Sequence, residues 1–192
     1  LTSGNMNVTF SSLRVVCLSQ NGFASDDVLV LLSGHHARPF LRGVHSCMFF
    51  VLPDFGDLVT LKCLRIKSGC FWTVEGLEIS PETSAAPEKA TLLMIEGGAD
   101  NVIRNCVLYT VRDTSNWTAQ DWDQRACDGI FVDGIRQVLE NNHLANLNFA
   151  LSIVAGASQG IFRGNLIENF SGDGIRGLAD DCLYEGNVVK NL

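Results

Sequence analysis

Apolar residues recur along this chain in short alternating runs broken by Gly or Asn, and five of the runs obey one template. They are Val74-Glu75-Gly76-Leu77-Glu78-Ile79, Ile103-Arg104-Asn105-Cys106-Val107-Leu108, Leu139-Glu140-Asn141-Asn142-His143-Leu144, Phe162-Arg163-Gly164-Asn165-Leu166-Ile167 and Tyr184-Glu185-Gly186-Asn187-Val188-Val189. The first and last columns are apolar throughout. The third column is Gly76, Asn105, Asn141, Gly164 and Gly186. These are the residue types that best tolerate a left-handed backbone, so a bend is predicted there in every repeat. The fourth column ends in Asn142, Asn165 and Asn187, which predicts a stack of amides along an inner corner. The second column alternates in sign: Glu75, Arg104, Glu140, Arg163, Glu185. If repeats pair as strands about 4.8 Å apart, each charge faces an opposite one, worth roughly 0.2–1 kcal/mol per pair.

A further apolar column lies upstream at Ile66, Ile95, Ile130, Ile153 and Ile175. The bend-adjacent residues are 29 (Leu77 to Cys106), 36 (to Asn142), 23 (to Asn165) and 22 (to Asn187) residues apart, so the last two intervals give the bare coil. Such periods mark stacked architectures in which no repeat buries its apolar face alone. The runs are short, rich in Val and Ile and punctuated by turn residues, which predicts strands and not helices. Parallel strands stacked into coils account for the pattern.

The Gly129-Ile130-Phe131-Val132 phrase, the Phe162-x-x-Asn165-x-Ile167 type of phrase and the asparagine column together resemble the pectate-lyase-like superfamily. The likeness covers about Ile66 to Leu192, and Asp26 to Gly34 looks like an opening coil. It implies an all-β, right-handed parallel β-helix of about 22-residue coils with loop insertions. Residues 1–192 would form a single domain, with irregular coils over 1–65 and regular ones over 66–192. Leu192 directly follows the last templated strand, which predicts a solenoid truncated at its C-terminal end. The superfamily includes lyases, hydrolases, epimerases and phage tail spikes, so the resemblance specifies architecture and not chemistry.

Composition narrows the partners. A net charge of −7 argues against a nucleic-acid backbone. No run of 18 apolar residues exists to span a membrane. Seven cysteines without a Cys-x-x-Cys spacing argue against zinc, and Cys106 falls in an inward column as a small apolar residue. Asn7, Asn116 and Asn169 open glycosylation sequons, meaningful only in a secreted eukaryotic protein.

An insertion of about 14 residues over the bare coil, Arg112 to Cys127, carries Trp117 and Trp122 among Asp113, Asp121, Asp123 and Arg125. Flat apolar rings beside carboxylates and a guanidinium suit a sugar, whose faces are apolar and whose edges are hydroxyls. The alternative is that both tryptophans pack back onto the coils. Asp128 and Asp173 fall at equivalent positions two coils apart, roughly 9–10 Å between backbones. That is near the upper end of the carboxylate gap of an inverting glycosidase, although Asp-Gly also serves simply as a turn. Arg176 aligns with Phe131 and Val154 in an outward column. In lyases of the resembled type, calcium held by acidic residues neutralises a uronate while Arg or Lys removes a proton. Asp173 and Asp180 beside Arg176 would be the corresponding set. Asp180-Asp181 lacks the companion phrases of a polygalacturonase, His35-His36 falls in an expected loop, and His143 points outward.

The expectation is therefore a secreted, cell-surface or phage-particle protein that binds, and as an enzyme would cleave, a polysaccharide. Asp128, Asp173 and Arg176 are its candidate catalytic residues, and Trp117, Trp122, Asp121, Asp123, Arg125 and Phe131 its substrate contacts. Calcium would be the cofactor of a lyase. The rival is a non-catalytic adhesive or structural module, such as a tail-spike segment that forms a homo-oligomer.

Overall fold

The computed structural model describes residues 15–17, 28–31, 34–36, 40–53, 59–81 and 89–191, with side chains from residue 60 onward. Among the described residues the chain is all-β apart from one short helix, and these strands form a twelve-stranded and a seven-stranded sheet. Three parallel ladders are visited in the same order on each pass. The first holds the leading half of Leu64–Glu75, then Thr91–Ala99, Asp128–Ile135, Leu151–Ile153 and Ile175–Gly177. The second holds the trailing half of Leu64–Glu75, then Val102–Arg104, Val138–Glu140, Ile161–Arg163 and Leu183–Glu185. The third holds Glu78–Ile79, Val107–Tyr109, His143–Leu147, Leu166–Phe170 and Val188–Lys190. Curled parallel sheets of this kind are compatible with a solenoid.

Parallel pairing also runs upstream of Ile66. Phe40–Pro53 pairs with Leu64–Glu75 and with Val28–Leu31, while Val15–Cys17 closes on Val28–Leu31 in antiparallel fashion. His35 and His36, expected in a loop, instead belong to the short strand Gly34–His36, which extends the third ladder beside Val59–Leu61. Three residues suffice for a strand there, because ladder bonds are made by the backbone and place no demand on the side chain. The side chains of His35 and His36, and the Asn7 sequon, lie outside the described residues.

The template columns are physical columns. Gly76, Asn105, Asn141, Gly164 and Gly186 all have φ between 53° and 70°. Immediately after them, Asn142 donates through Nδ2 to Asn165 Oδ1 (3.0 Å), and Asn165 likewise to Asn187 (2.9 Å). Each Oδ1 also accepts the main-chain N–H of the residue one coil earlier: Cys106 to Asn142, Asn142 to Asn165, Asn165 to Asn187. The alternating charges pair across strands as well, Arg104 with Glu75 (2.8 Å) and Arg163 with Glu140 (2.6 Å). Cys106 is buried within this corner, and desolvation pushes its thiol up to about 12.

Two further corners repeat the device, one of them with other residue types at the bend. Between the first and second ladders, Phe71, Asp100, Arg136, Gln159 and Asp181 all adopt left-handed φ, from 53° to 63°. Buried amides follow directly: Asn101 Oδ1 accepts from Trp72 N, and Gln137 Oε1 from Asn101 N. Between the third and first ladders, Asn146 and Asn169 are left-handed and bonded to each other. Asn191 occupies the next position in register and bonds the backbone of Phe170 through both amide atoms. Buried main-chain groups that the strands leave unpaired at the corners thus find partners in side-chain amides.

The apolar column of the first ladder differs from expectation by a slip of two. Ile66 and Ile95 share a row with Val132 and Ile153, whereas Ile130 and Ile175 share the preceding row with Leu93 and Leu151. Both rows face inward, because strand side chains alternate with period two, so a two-residue slip leaves the apolar pattern unchanged. The same slip displaces Arg176, whose neighbour in the preceding coil is Ser152, followed by Phe131, and not Val154. Asp128 and Asp173 keep equivalent positions, with Phe149 between them in register.

Candidate functional site

The insertion after the third ladder is not a plain loop. Asp121 N donates to Thr118 Oγ1 (3.2 Å) and the Asp121 carboxylate accepts from Thr118 N (2.8 Å), a reciprocal cap that starts helix α1, Ala119–Arg125. The Thr118 N–H, the Thr118 hydroxyl and the Arg125 guanidinium together hold the Asp121 carboxyl at about 2. Arg125, 3.1 Å from Asp121, also lies over the Trp117 ring at 4.9 Å. Trp117 meets Trp122 edge to face, with centroids 5.0 Å apart. The side chains of Asp121, Arg125 and Trp117 are therefore engaged in holding the insertion together, and each is half-buried.

Trp122 faces a cleft of about 540 Å³ between α1 and the corner that joins the third ladder to the first. Its walls are Ala119, Trp122, Asp123, Asn148, Asn169, Phe170, Ser171 and Asn191. The volume lies within the roughly 300–1,000 Å³ range of small-ligand sites. The floor is cross-linked by hydrogen bonds at the corner. Asn169 donates to Thr114 Oγ1 (3.1 Å) and to Asn146, tying the insertion to the stack. Ser171 Oγ donates to Asn148 Oδ1 (3.2 Å). Lys89 braces the rim from outside by donating to the Asp123 carbonyl oxygen (2.8 Å).

The candidate catalytic residues lie behind this wall, on the first ladder. Asp128 Oδ1 accepts from Asn148 Nδ2 (3.0 Å) and from Phe149 N (3.3 Å), so its carboxylate clamps the turn that precedes the next coil. Asp173 is exposed, and its carbonyl oxygen accepts from Ala150 N. The Arg176 guanidinium lies 5.7 Å from the centre of the Phe149 ring. Phe131 is half-buried in the same row as Arg176, two coils earlier. Asp128 and Asp173 thus flank Phe149, and Asn148 links this row to the tryptophan cleft. Among the described residues no group of three His, Cys, Asp or Glu side chains gathers as a metal site.

A second cluster, on the outer face of the third ladder, escaped the reading of the sequence. The largely buried Glu78 carboxylate accepts from the Tyr109 hydroxyl and from Arg112 (2.6 Å), while the Arg112 guanidinium sits 4.9 Å from the Tyr109 ring centre. Glu168 bridges Lys190 (2.9 Å) and His143 (2.9 Å), and these hold its carboxyl below the ordinary range, Lys190 foremost. Tyr109, Arg112, His143 and Glu168 of these groups line a hollow of about 330 Å³ that shares Asn169 with the tryptophan cleft. A sequence signal did exist, since Ala145, Glu168 and Lys190 follow the same 23- and 22-residue spacing as the asparagine column. No helix among the described residues is long and apolar enough to cross a membrane. No protein-family model, no curated protein and no solved structure matches the chain.

Proposed function

We propose that the chain is a right-handed parallel β-helix module of the pectate-lyase-like type that binds a polysaccharide, secreted, on a cell surface or on a phage particle. The cleft beneath α1 carries the reading: it sets the rings of Trp122 and Phe170 against Asp123, Ser171 and three asparagines. A sugar ring presents apolar faces and hydroxyl edges, and this wall offers a partner for each. The adhesive form of the reading is favoured over the enzymatic one by Asp128, whose carboxylate is already committed to Asn148 and Phe149. The enzymatic form draws support from the register, because Asp128 and Asp173 stay in step two coils apart, a few residues before the row that Arg176 shares with Phe131.

Loss of one stacked ring removes about 1 kcal/mol or slightly more, so Trp122→Ala should weaken glycan binding about tenfold with the fold intact. Isothermal titration against a glycan panel, with circular dichroism as the folding control, reads this directly. Asp128→Asn and Asp173→Asn separate the two forms. An enzyme loses turnover and keeps affinity, because such groups act mainly in the transition state. A module that shortens no polymer before or after these changes is adhesive. Unchanged affinity in Trp122→Ala would remove the cleft from the account.

A further inference from the structure

The cleft has a chemical bias of its own, and the inference drawn from it rests on the glycan reading above. Each side-chain amide in its wall already gives hydrogen to the protein. Asn148 donates to Asp128, Asn169 to Thr114 and Asn146, and Asn191 to the Phe170 carbonyl. The one charged side chain among the described lining residues is that of Asp123, exposed and able only to accept. No Lys, Arg or His is among the described residues that line the cleft. Lys89 touches the Asp123 main chain from the rim, and Arg125 is turned to Asp121 and Trp117. The chain as a whole adds to the bias, with 14 basic against 21 acidic residues and a net charge of −7.

We infer that the cleft selects a glycan that donates hydroxyl hydrogens and carries no anion, and that it rejects uronate polymers. A uronate carboxylate seated against Trp122 would face Asp123 with no cation in the wall to neutralise it. Like charges in a partly desolvated cleft repel strongly enough to lower affinity tenfold or more. The acidic field of the molecule would also slow the approach of a polyanion, and salt would weaken both effects.

The test uses the full chain with neutral gluco-, galacto- and manno-oligosaccharides, oligoglucosamine and oligogalacturonate of matched length. At low salt, at least one neutral or amino oligosaccharide should bind at least tenfold more tightly than oligogalacturonate. The ratio should shrink as salt rises. Asp123→Lys should raise oligogalacturonate affinity at least fivefold, and Asp123→Asn, which keeps the shape, should move it in the same direction by less. Oligogalacturonate bound as tightly as the best neutral sugar, in a manner that Trp122→Ala abolishes, would overturn the selectivity and leave the glycan reading standing. Absence of binding to every member of the panel would overturn both.

Discussion

Alanine at Gly98 should destabilise the stack by about 3–5 kcal/mol and lower the thermal midpoint by roughly 6–20 °C. Gly98 has φ +83°, and a Cβ built there would lie 2.0 Å from the carbonyl oxygen of Gly69 in the neighbouring strand. Neither the backbone oxygen nor the left-handed residue can give way without moving a coil, because Gly98 O in turn accepts from Gln137 Nε2. The adjacent Gly97 is the control. It has φ +72° but nothing within 4 Å of its would-be Cβ, so Gly97→Ala should cost only the strain of φ, about 1–2 kcal/mol. Urea denaturation of the two variants checks the prediction. Equal losses would mean that the coils do not approach so closely at Gly98.

The second large effect belongs to Asn165, buried in the middle of the amide column. Its Oδ1 accepts from both Asn142 N and Asn142 Nδ2, and its Nδ2 gives to Leu139 O and Asn187 Oδ1. Leucine has nearly the same shape but leaves the Asn142 N–H and the Leu139 carbonyl without a partner away from water. Each stranded group costs about 1–3 kcal/mol, so Asn165→Leu should lose about 3 kcal/mol or more. Asn191 makes the same kind of contact at an exposed position, and Asn191→Ala should lose about 1 kcal/mol, since water replaces the protein there. Chemical denaturation of both variants tests the column. A loss at Asn165 no greater than at Asn191 would deny the buried ladder any part in stability.

Much of this fold was legible in the sequence because one corner uses residue types that announce their backbone. Gly76, Asn105, Asn141, Gly164 and Gly186 name a left-handed bend, and Asn142, Asn165 and Asn187 name a stack. The corner between the first two ladders was silent for the opposite reason. Only Asp100 and Asp181 of its five bend residues are turn formers, and the left-handed backbones of Phe71, Arg136 and Gln159 are supported by the strands on either side and by Asn101 and Gln137. Asn146, Asn169 and Asn191 stood in view, each four residues after Asn142, Asn165 or Asn187, but a spacing of four carries no meaning until the third ladder is known to be short. The two-residue slip that moved Arg176 beside Ser152 shows the limit of apolar patterning, which fixes the face of a strand but not its register.

The candidate site was less legible than the fold. The insertion, Trp122 and Asp123 stood out by composition, and they meet at one cleft. The cleft's other half is Asn148, Phe170, Ser171 and Asn191, from coils 22 or more residues away, and only the stacking brings them to it. Asp121 and Arg125 look like ligand contacts in the sequence, yet capping geometry engages them within the insertion. Asp128, likewise, is a turn clamp as well as a candidate acid.

The three tryptophans offer the most direct measurement, because their indole N–H signals are separable in a two-dimensional amide spectrum. Trp122 lines the cleft, Trp117 lies against it at 5.0 Å, and Trp72 is wholly buried in the core. On titration with a neutral oligosaccharide the Trp122 signal, and the side-chain amides of Asn148 and Asn191, should shift together along one binding curve while Trp72 stays fixed. A saturable shift confined to the Asp128, Asp173 and Arg176 face, with Trp122 unmoved, would contradict the cleft as the binding site.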